Sequence, residues 1–146
     1  MNFVGVGPNN ESAGSGLISS VDDYSRFADA MANGGVGKNG VRILKAETID
    51  LMRTNQLPLL KDPTFTCWTG PGYGYGLGVR TMVDNSAGQR SPVGEFGWDG
   101  ASGTFTLMDP TNKLSLFFAM HVRGWTRYFG DCHIPLRDLT YQCLDL

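Results

Sequence analysis

A short turn sequence near the C-terminal third of the chain constrains the fold most. Asp109-Pro110-Thr111-Asn112 carries proline at the second position of a β-turn, and β-prone stretches lie on both sides of it. The turn therefore predicts a hairpin between strands at about 103–109 and 114–122. The second stretch is almost entirely apolar, which is typical of a strand buried on both faces. A further strand is predicted at about 93–99, after a polar loop over 84–92.

The first half of the chain predicts helices. Ser20 is placed to cap a helix with Asp23 three residues on, and Gly34-Gly35 would end it. A second helix is predicted at about 46–54, with Leu44 and Ile49 as a hydrophobic staple. The glycine-alternating stretch 73–83 is interpreted as one strand.

The C-terminal end predicts a third helix that starts near Pro135. We expect its buried side to carry Leu136, Leu139, Cys143 and Leu144. Residues 1–16 and residues 56–72 are predicted to be two further loops. The element order contains no strand–helix alternation, so the sequence predicts an α+β fold with an antiparallel sheet flanked by helices.

Composition excludes several function classes. The 146 residues carry a net charge of −2, which argues against nucleic-acid binding. The longest apolar run is too short for a membrane span. No signal peptide is visible, but a fragment would have lost one. The compartment of the parent protein therefore stays open between periplasm, extracellular space and cytoplasm. Three cysteines, Cys67, Cys132 and Cys143, are interpreted as free thiols, with a Cys132–Cys143 bridge as the alternative. No metal or cofactor motif is found.

Two glycine-rich motifs are candidates for ligand binding. Gly35-Val-Gly37-Lys-Asn-Gly40 has dinucleotide-binding letters but follows a helix instead of a strand, which indicates a turn. The segment from Trp98 to Gly103 is more informative, because glycines in a strand often mark close approach of a ligand. A bulged strand junction is the alternative interpretation.

The order of several segments carries a family resemblance. These are the stretches 13–27, 43–52, 72–78 (Gly-Tyr-Gly-Tyr-Gly-Leu-Gly) and 96–104 (Phe-Gly-Trp-Asp-Gly-Ala-Ser-Gly-Thr), followed by Asp109-Pro110. Together they resemble the C-terminal part of the superfamily of class C-like serine β-lactamases, penicillin-binding proteins and family VIII-type esterases. The resemblance implies the C-terminal portion of a β-lactamase/transpeptidase-like fold, with residues 1–146 as a single partial domain.

The resemblance also implies a site. In that family a serine of a Ser-x-x-Lys motif attacks an acyl carbonyl, and a Lys/His-x-Gly strand motif binds the substrate. Trp98, Asp99 and Gly100 match the strand motif, and the N–H of Ala101 matches the oxyanion donor. Ser102 and Gly103 complete the implied substrate-binding segment.

Two departures limit the expected activity. Trp98 has no cationic head to hold a substrate carboxylate, which resembles the esterase-like branch. No serine has lysine three residues on, and no Tyr-x-Asn or Ser-x-Asn is present. We therefore expect a fragment of a serine hydrolase for β-lactam, peptidoglycan-peptide or ester substrates, inactive alone.

Two alternatives stay open: a stand-alone module that binds a peptide or small ligand, and a subunit that complements a separate chain carrying the nucleophile. In the family, the strand equivalent to 114–122 pairs with strands that precede this segment. An unpaired apolar edge there predicts a homo-oligomer.

Overall fold

The computed structural model describes residue 14 and residues 17–57, 71–86 and 90–145. Cys67 and most of the two predicted loops at 1–16 and 56–72 lie outside the described residues.

The described chain forms three layers around one antiparallel sheet. Its elements are α1 (Val21–Ala32), α2 (Ala46–Arg53), β1 (Tyr73–Tyr75), β2 (Arg80–Met82), β3 (Phe96–Asp99), β4 (Phe105–Asp109), β5 (Leu114–Phe118), a π-helical turn (Phe129–His133) and α3 (Ile134–Cys143). The strands lie in the order β1-β2-β3-β4-β5. Phe96 and Met108 pack against α1 and α2 on one face, whereas Phe105 and Leu107 pack against Tyr141 of α3 on the other. The predicted α+β class is confirmed.

The ends of α1 follow the predicted capping signals. The Ser20 side chain accepts a hydrogen bond from the Asp23 N–H at 3.1 Å. At the other end Gly34 and Gly35 adopt φ values of +64° and +86°, and the Gly35 N–H donates to the Ala30 carbonyl at 2.8 Å. This is the glycine-closed helix end that the sequence indicates. A side chain at Gly35 would meet the Leu44 carbonyl oxygen at 2.0 Å, so the position has no room for one.

The single strand predicted at 73–83 is wrong. The segment forms two short strands, β1 and β2, which pair antiparallel across a turn at 76–79. The turn is required because its backbone lies against the end of α2: the Leu77 N–H donates to the Met52 carbonyl at 2.8 Å. A Cβ atom on Gly76 would lie 2.0 Å from the same carbonyl oxygen. The alternating glycines therefore reflect close backbone contacts and a turn, not the two faces of a long strand.

The predicted β4–β5 hairpin is confirmed, and a side chain holds its turn. The Asp109 carboxylate is fully buried and accepts the N–H groups of Thr111 and Asn112 at 2.9 and 3.2 Å. The Tyr141 hydroxyl of α3 donates to the same carboxylate at 3.0 Å. One carboxylate thus closes the hairpin and anchors the terminal helix.

The expectation that residues 114–122 form a strand buried on both faces is wrong. β5 ends at Phe118, and all five of its residues are only half-buried. Within the described part of the chain it is the last strand of the sheet, so one long side has no neighbouring strand. Its apolar residues are covered from above and below, for example by Tyr24 of α1, which stacks on Phe117 with ring centroids 4.5 Å apart.

The expected apolar side of the terminal helix is also wrong. The side chains that face the sheet are His133, Arg137 and Tyr141, spaced four residues apart, and all three are buried. Leu139 and Leu144 are instead 55% and 50% exposed. Cys132 and Cys143 are free thiols, so the alternative of a bridge between them is wrong.

We predict that Tyr141→Phe lowers the free energy of unfolding by about 1–2 kcal/mol, because Asp109 loses a buried hydrogen-bond donor. Chemical denaturation monitored by circular dichroism measures the difference. Tyr128→Phe is the matched control, since the Tyr128 hydroxyl makes no hydrogen bond within the described part of the chain. Equal effects of the two substitutions would contradict the prediction.

Candidate functional site

A tight turn follows β3 and carries the predicted oxyanion donor. The Gly100 N–H donates to the Thr104 carbonyl at 2.7 Å, and the Gly103 N–H donates to the Gly100 carbonyl at 2.8 Å. Gly103 adopts a φ of +92°, and the Met120 side chain occupies the place of a Cβ atom there. Ala101 is exposed at the tip of the turn. Its N–H donates to no group within the described residues, so it is available to a ligand.

Trp98 lies beside this turn at the surface, and Ser102 lies within the turn. Trp98 is 42% exposed, and its ring meets Tyr75 edge to face with centroids 5.4 Å apart. Ser102 is half-buried, and its carbonyl accepts the Val122 N–H at 3.0 Å. Together Trp98, Ala101 and Ser102 form a rim, of which Trp98 and Ala101 are open to solvent.

Asp99 is oriented differently from its neighbours. Successive residues of a strand point to opposite faces, so Asp99 faces α3, away from Trp98. Its carboxylate is 12% exposed and lies 3.5 Å from Nη1 of Arg80 and 3.4 Å from Nδ1 of His133. Within the segment predicted to bind substrate, Trp98 and Ala101 are therefore exposed, whereas Gly103 is buried and the Asp99 carboxylate faces inward.

Arg80 is the centre of the inward-facing cluster. It pairs with Gly97 in the β2–β3 register, so its side chain lies on the same face as residues 95, 97 and 99 of the neighbouring strand. Its guanidinium reaches Glu95 at 3.3 Å and Asp99 at 3.5 Å, and Nη2 also donates to the Thr106 carbonyl at 2.8 Å. Gly97 has no room for a side chain, because a Cβ atom there would lie 2.0 Å from the Thr106 carbonyl oxygen and 3.2 Å from Nη2 of Arg80.

Burial and charge act against each other in this cluster. Burial alone lowers the pKa of Arg80, but the charges of Glu95 and Asp99 outweigh it and raise that pKa, so the guanidinium stays charged. Burial raises the pKa of Glu95, and Arg80 opposes that change. The Tyr73 hydroxyl donates to Glu95 at 2.5 Å. Burial, followed by the negative charge of Glu95, raises the pKa of Tyr73 to about 12.

The polar side of α3 completes the cluster. Arg137 donates from Nη1 to the Tyr73 hydroxyl at 3.3 Å, and Nε2 of His133 lies 2.6 Å from the Gly103 carbonyl oxygen. A cavity about the size of one water molecule lies between α3 and the sheet. It is lined by Tyr73, Arg80, Phe105, Phe129, His133, Ile134 and Arg137. This cluster was not predicted from the sequence. The signal that could have indicated it is the presence of two charged residues, Arg80 and Glu95, inside β-prone stretches.

The described residues offer neither a metal-binding cluster nor a helix suited to span a membrane. No group of three His, Cys, Asp or Glu side chains there is arranged to hold a metal ion. No described helix has both the length and the apolar character needed to cross a bilayer.

Comparisons with known proteins point to one family. The β-lactamase family model matches residues 2–139. An uncharacterized protein of Mycobacterium tuberculosis is 38% identical over 112 residues, which cover 73% of this chain and 28% of the relative. A putative D-alanyl-D-alanine carboxypeptidase of Escherichia coli is 28% identical over 101 residues, which cover 69% of this chain and 21% of that protein. This chain therefore spans less than a third of the length of either relative.

A solved structure shares the fold. It is described as EstCE1, a hydrolase with promiscuous acyltransferase activity, and it matches with a TM-score of 0.62 at 24% sequence identity. The match covers 82% of this chain and 29% of EstCE1. It supports the predicted β-lactamase-like fold.

The raised pKa of Tyr73 predicts how stability changes at alkaline pH. The pKa of Tyr73 is about 12 in the folded state and near 10 in the unfolded state, so its contribution to the free energy of unfolding is fully present below pH 10. That contribution is lost as the pH rises toward 12. Between these values we expect the free energy of unfolding to fall more steeply in the wild type than in Tyr73→Phe, by up to about 1.4 kcal/mol per pH unit. Denaturant titrations at several alkaline pH values test this, and parallel slopes would refute it.

Proposed function

This chain belongs to the β-lactamase family, and from that premise we propose that it forms the substrate-strand side of a serine acyl-transfer site. One observation carries the proposal. The exposed Ala101 N–H, without a partner in the described residues, lies at the tip of a turn that two backbone hydrogen bonds hold in place. A fixed donor of this kind stabilises the negative charge that develops on an acyl oxygen during attack.

We propose that the isolated chain is inert. An oxyanion donor contributes about 10²–10³-fold to kcat, but it serves a nucleophile and a base that must be present. None of the serines in the sequence has the Ser-x-x-Lys spacing that activates the nucleophile in this family. The nucleophile would then come from polypeptide outside these 146 residues.

Among acyl substrates, the charges near the rim favour a neutral ester over a carboxylate-bearing β-lactam or peptide. Trp98 replaces the cation that would bind a carboxylate, and the exposed edge that it forms with Tyr75 is aromatic. Arg80 pairs with Gly97, the neighbour of Trp98, but its guanidinium is buried and paired with two carboxylates. A substrate carboxylate would find no compensating charge from it.

The first test uses the isolated chain and the DNA that precedes its coding sequence. We expect no hydrolysis of a p-nitrophenyl ester or a chromogenic cephalosporin above background by the chain alone. We also expect an in-frame Ser-x-x-Lys upstream, and ester hydrolysis once the upstream polypeptide is supplied. The matched control is the same upstream polypeptide with its motif serine changed to alanine, which should remain inactive.

Two outcomes would overturn this proposal. One is ester hydrolysis by the isolated chain that a single substitution within it abolishes. The other is a stop codon immediately upstream, which would favour the ligand-binding module or the separate complementing subunit.

We also propose that the open long side of β5 mediates association between copies of this chain. A strand edge with free N–H and carbonyl groups pairs readily with another strand. β5 has such an edge within the described part of the chain, and its side chains are largely apolar. The partner edge in the complete protein would be a strand of the preceding polypeptide; in its absence, a second copy would substitute.

Sedimentation velocity over a wide range of concentrations tests association. We expect a dimer or larger species whose share rises with protein concentration, and its loss when the upstream polypeptide is bound. A monomer at every concentration would contradict the prediction.

A further inference from the structure

His133 connects the terminal helix to both ends of the turn that carries Ala101. Its Nε2 atom lies 2.6 Å from the Gly103 carbonyl oxygen at the end of the turn. Its Nδ1 atom lies 3.4 Å from the Asp99 carboxylate at the beginning of the turn and makes no hydrogen bond there. The side chain is 1% exposed, so water does not compete for these contacts.

The protein holds the His133 ring rigidly in this position. The π-helical turn before α3 places it there, with the Ile134 N–H bonded to the Phe129 carbonyl. The ring stacks on Phe105 with centroids 4.8 Å apart, and it also contacts Tyr128 at 5.1 Å and Phe129 at 5.6 Å. Such π-helical insertions often occur where a side chain must be aimed at a functional site.

The contact with the Gly103 carbonyl places a proton on the Nε2 atom of His133. A carbonyl oxygen only accepts, so the contact with Gly103 requires a proton on Nε2 of His133. The other nitrogen, Nδ1, then faces the Asp99 carboxylate and has no hydrogen-bond partner within the described residues. His133 thus contacts the Gly103 carbonyl from the interior of the protein, whereas Ala101 at the tip of the turn faces solvent.

We propose that His133 is a positioning residue that fixes the turn at 100–104, and through it the direction of the Ala101 N–H. An oxyanion donor is effective only if it is already aligned before charge develops. The backbone bonds within the turn set its shape, and the bond from His133 sets its position relative to the sheet and α3. The role in acyl transfer rests on the proposed function, whereas the mechanical claim is tested separately.

Amide hydrogen exchange by NMR tests the mechanical claim on the whole chain. The reporters are the N–H groups of Gly100, Gly103 and Val122, which donate within or onto the turn. His133→Phe keeps an aromatic ring in the cluster but removes the donor. We expect exchange at these three amides to accelerate about fivefold to tenfold, the factor expected from the loss of one buried hydrogen bond.

Two further variants separate positioning from general stability. His133→Gln retains an N–H donor near the Nε2 position and should restore exchange to within about twofold of the wild type. Tyr141→Phe, on the same side of α3, should accelerate exchange of Thr111 and Asn112 at the Asp109 turn and leave the three reporters unchanged. Uniform acceleration at both turns in His133→Phe, or no rescue by glutamine, would overturn the proposal.

A measurement on the unmodified protein guards against a variant that does not fold. The ¹⁵N spectrum of His133 should show a protonated Nε2 with a slowly exchanging hydrogen, whereas an unprotonated Nε2 would overturn the proposal. Absence of acyl-transfer activity would refute the proposed function but leave the exchange results unchanged. Failure of the exchange test would leave the activity test unaffected.

Discussion

The burial of Arg80 between two carboxylates is the constraint on which the rest of the structure depends. Its guanidinium lies over Gly97, with Glu95 and Asp99 two residues to either side on the same strand. A shift of one residue between β2 and β3 would move the side chain to the opposite face and leave the carboxylates without their cation. Removing one partner of a buried ion pair costs about 3–5 kcal/mol, so this cluster specifies the strand register strongly.

The charge cluster also dictates what can cover that face of the sheet. An apolar helix there would give neither the Tyr73 oxygen nor the Asp109 carboxylate the additional hydrogen-bond donor that each of these buried groups accepts. α3 therefore presents Arg137 to Tyr73 and Tyr141 to Asp109. The usual expectation that the apolar side of an amphipathic helix faces the core fails here because the covered surface carries buried polar groups beside its apolar residues.

Features set by neighbouring residues could be predicted from the sequence, and features set by distant partners could not. The Ser20 cap, the Gly34-Gly35 helix end and the Asp109 hairpin depend on a few adjacent residues, and all three are confirmed. The division of 73–83 into two strands depends on the end of α2, which the local pattern does not contain. At the candidate site, the sequence and the family resemblance led to the segment from Trp98 to Gly103 and to Ala101 as the oxyanion donor, a role that stays a prediction. The inward direction of Asp99 follows from strand register, which the local pattern does not contain.

Asp99 joins the structural cluster to the candidate site. Its carboxylate pairs with Arg80 and lies beside the His133 ring, whereas its backbone leads directly into the turn at Gly100. The middle residue of the family's strand motif thus has a side chain that stabilises the interior and a main chain that presents the next N–H groups to solvent. Because one residue does both, loss of the Asp99–Arg80 ion pair would act directly on the backbone that enters the turn. The interior polar network and the turn that carries the proposed oxyanion donor are therefore joined through one residue, even though the Asp99 side chain and the Ala101 N–H face in different directions.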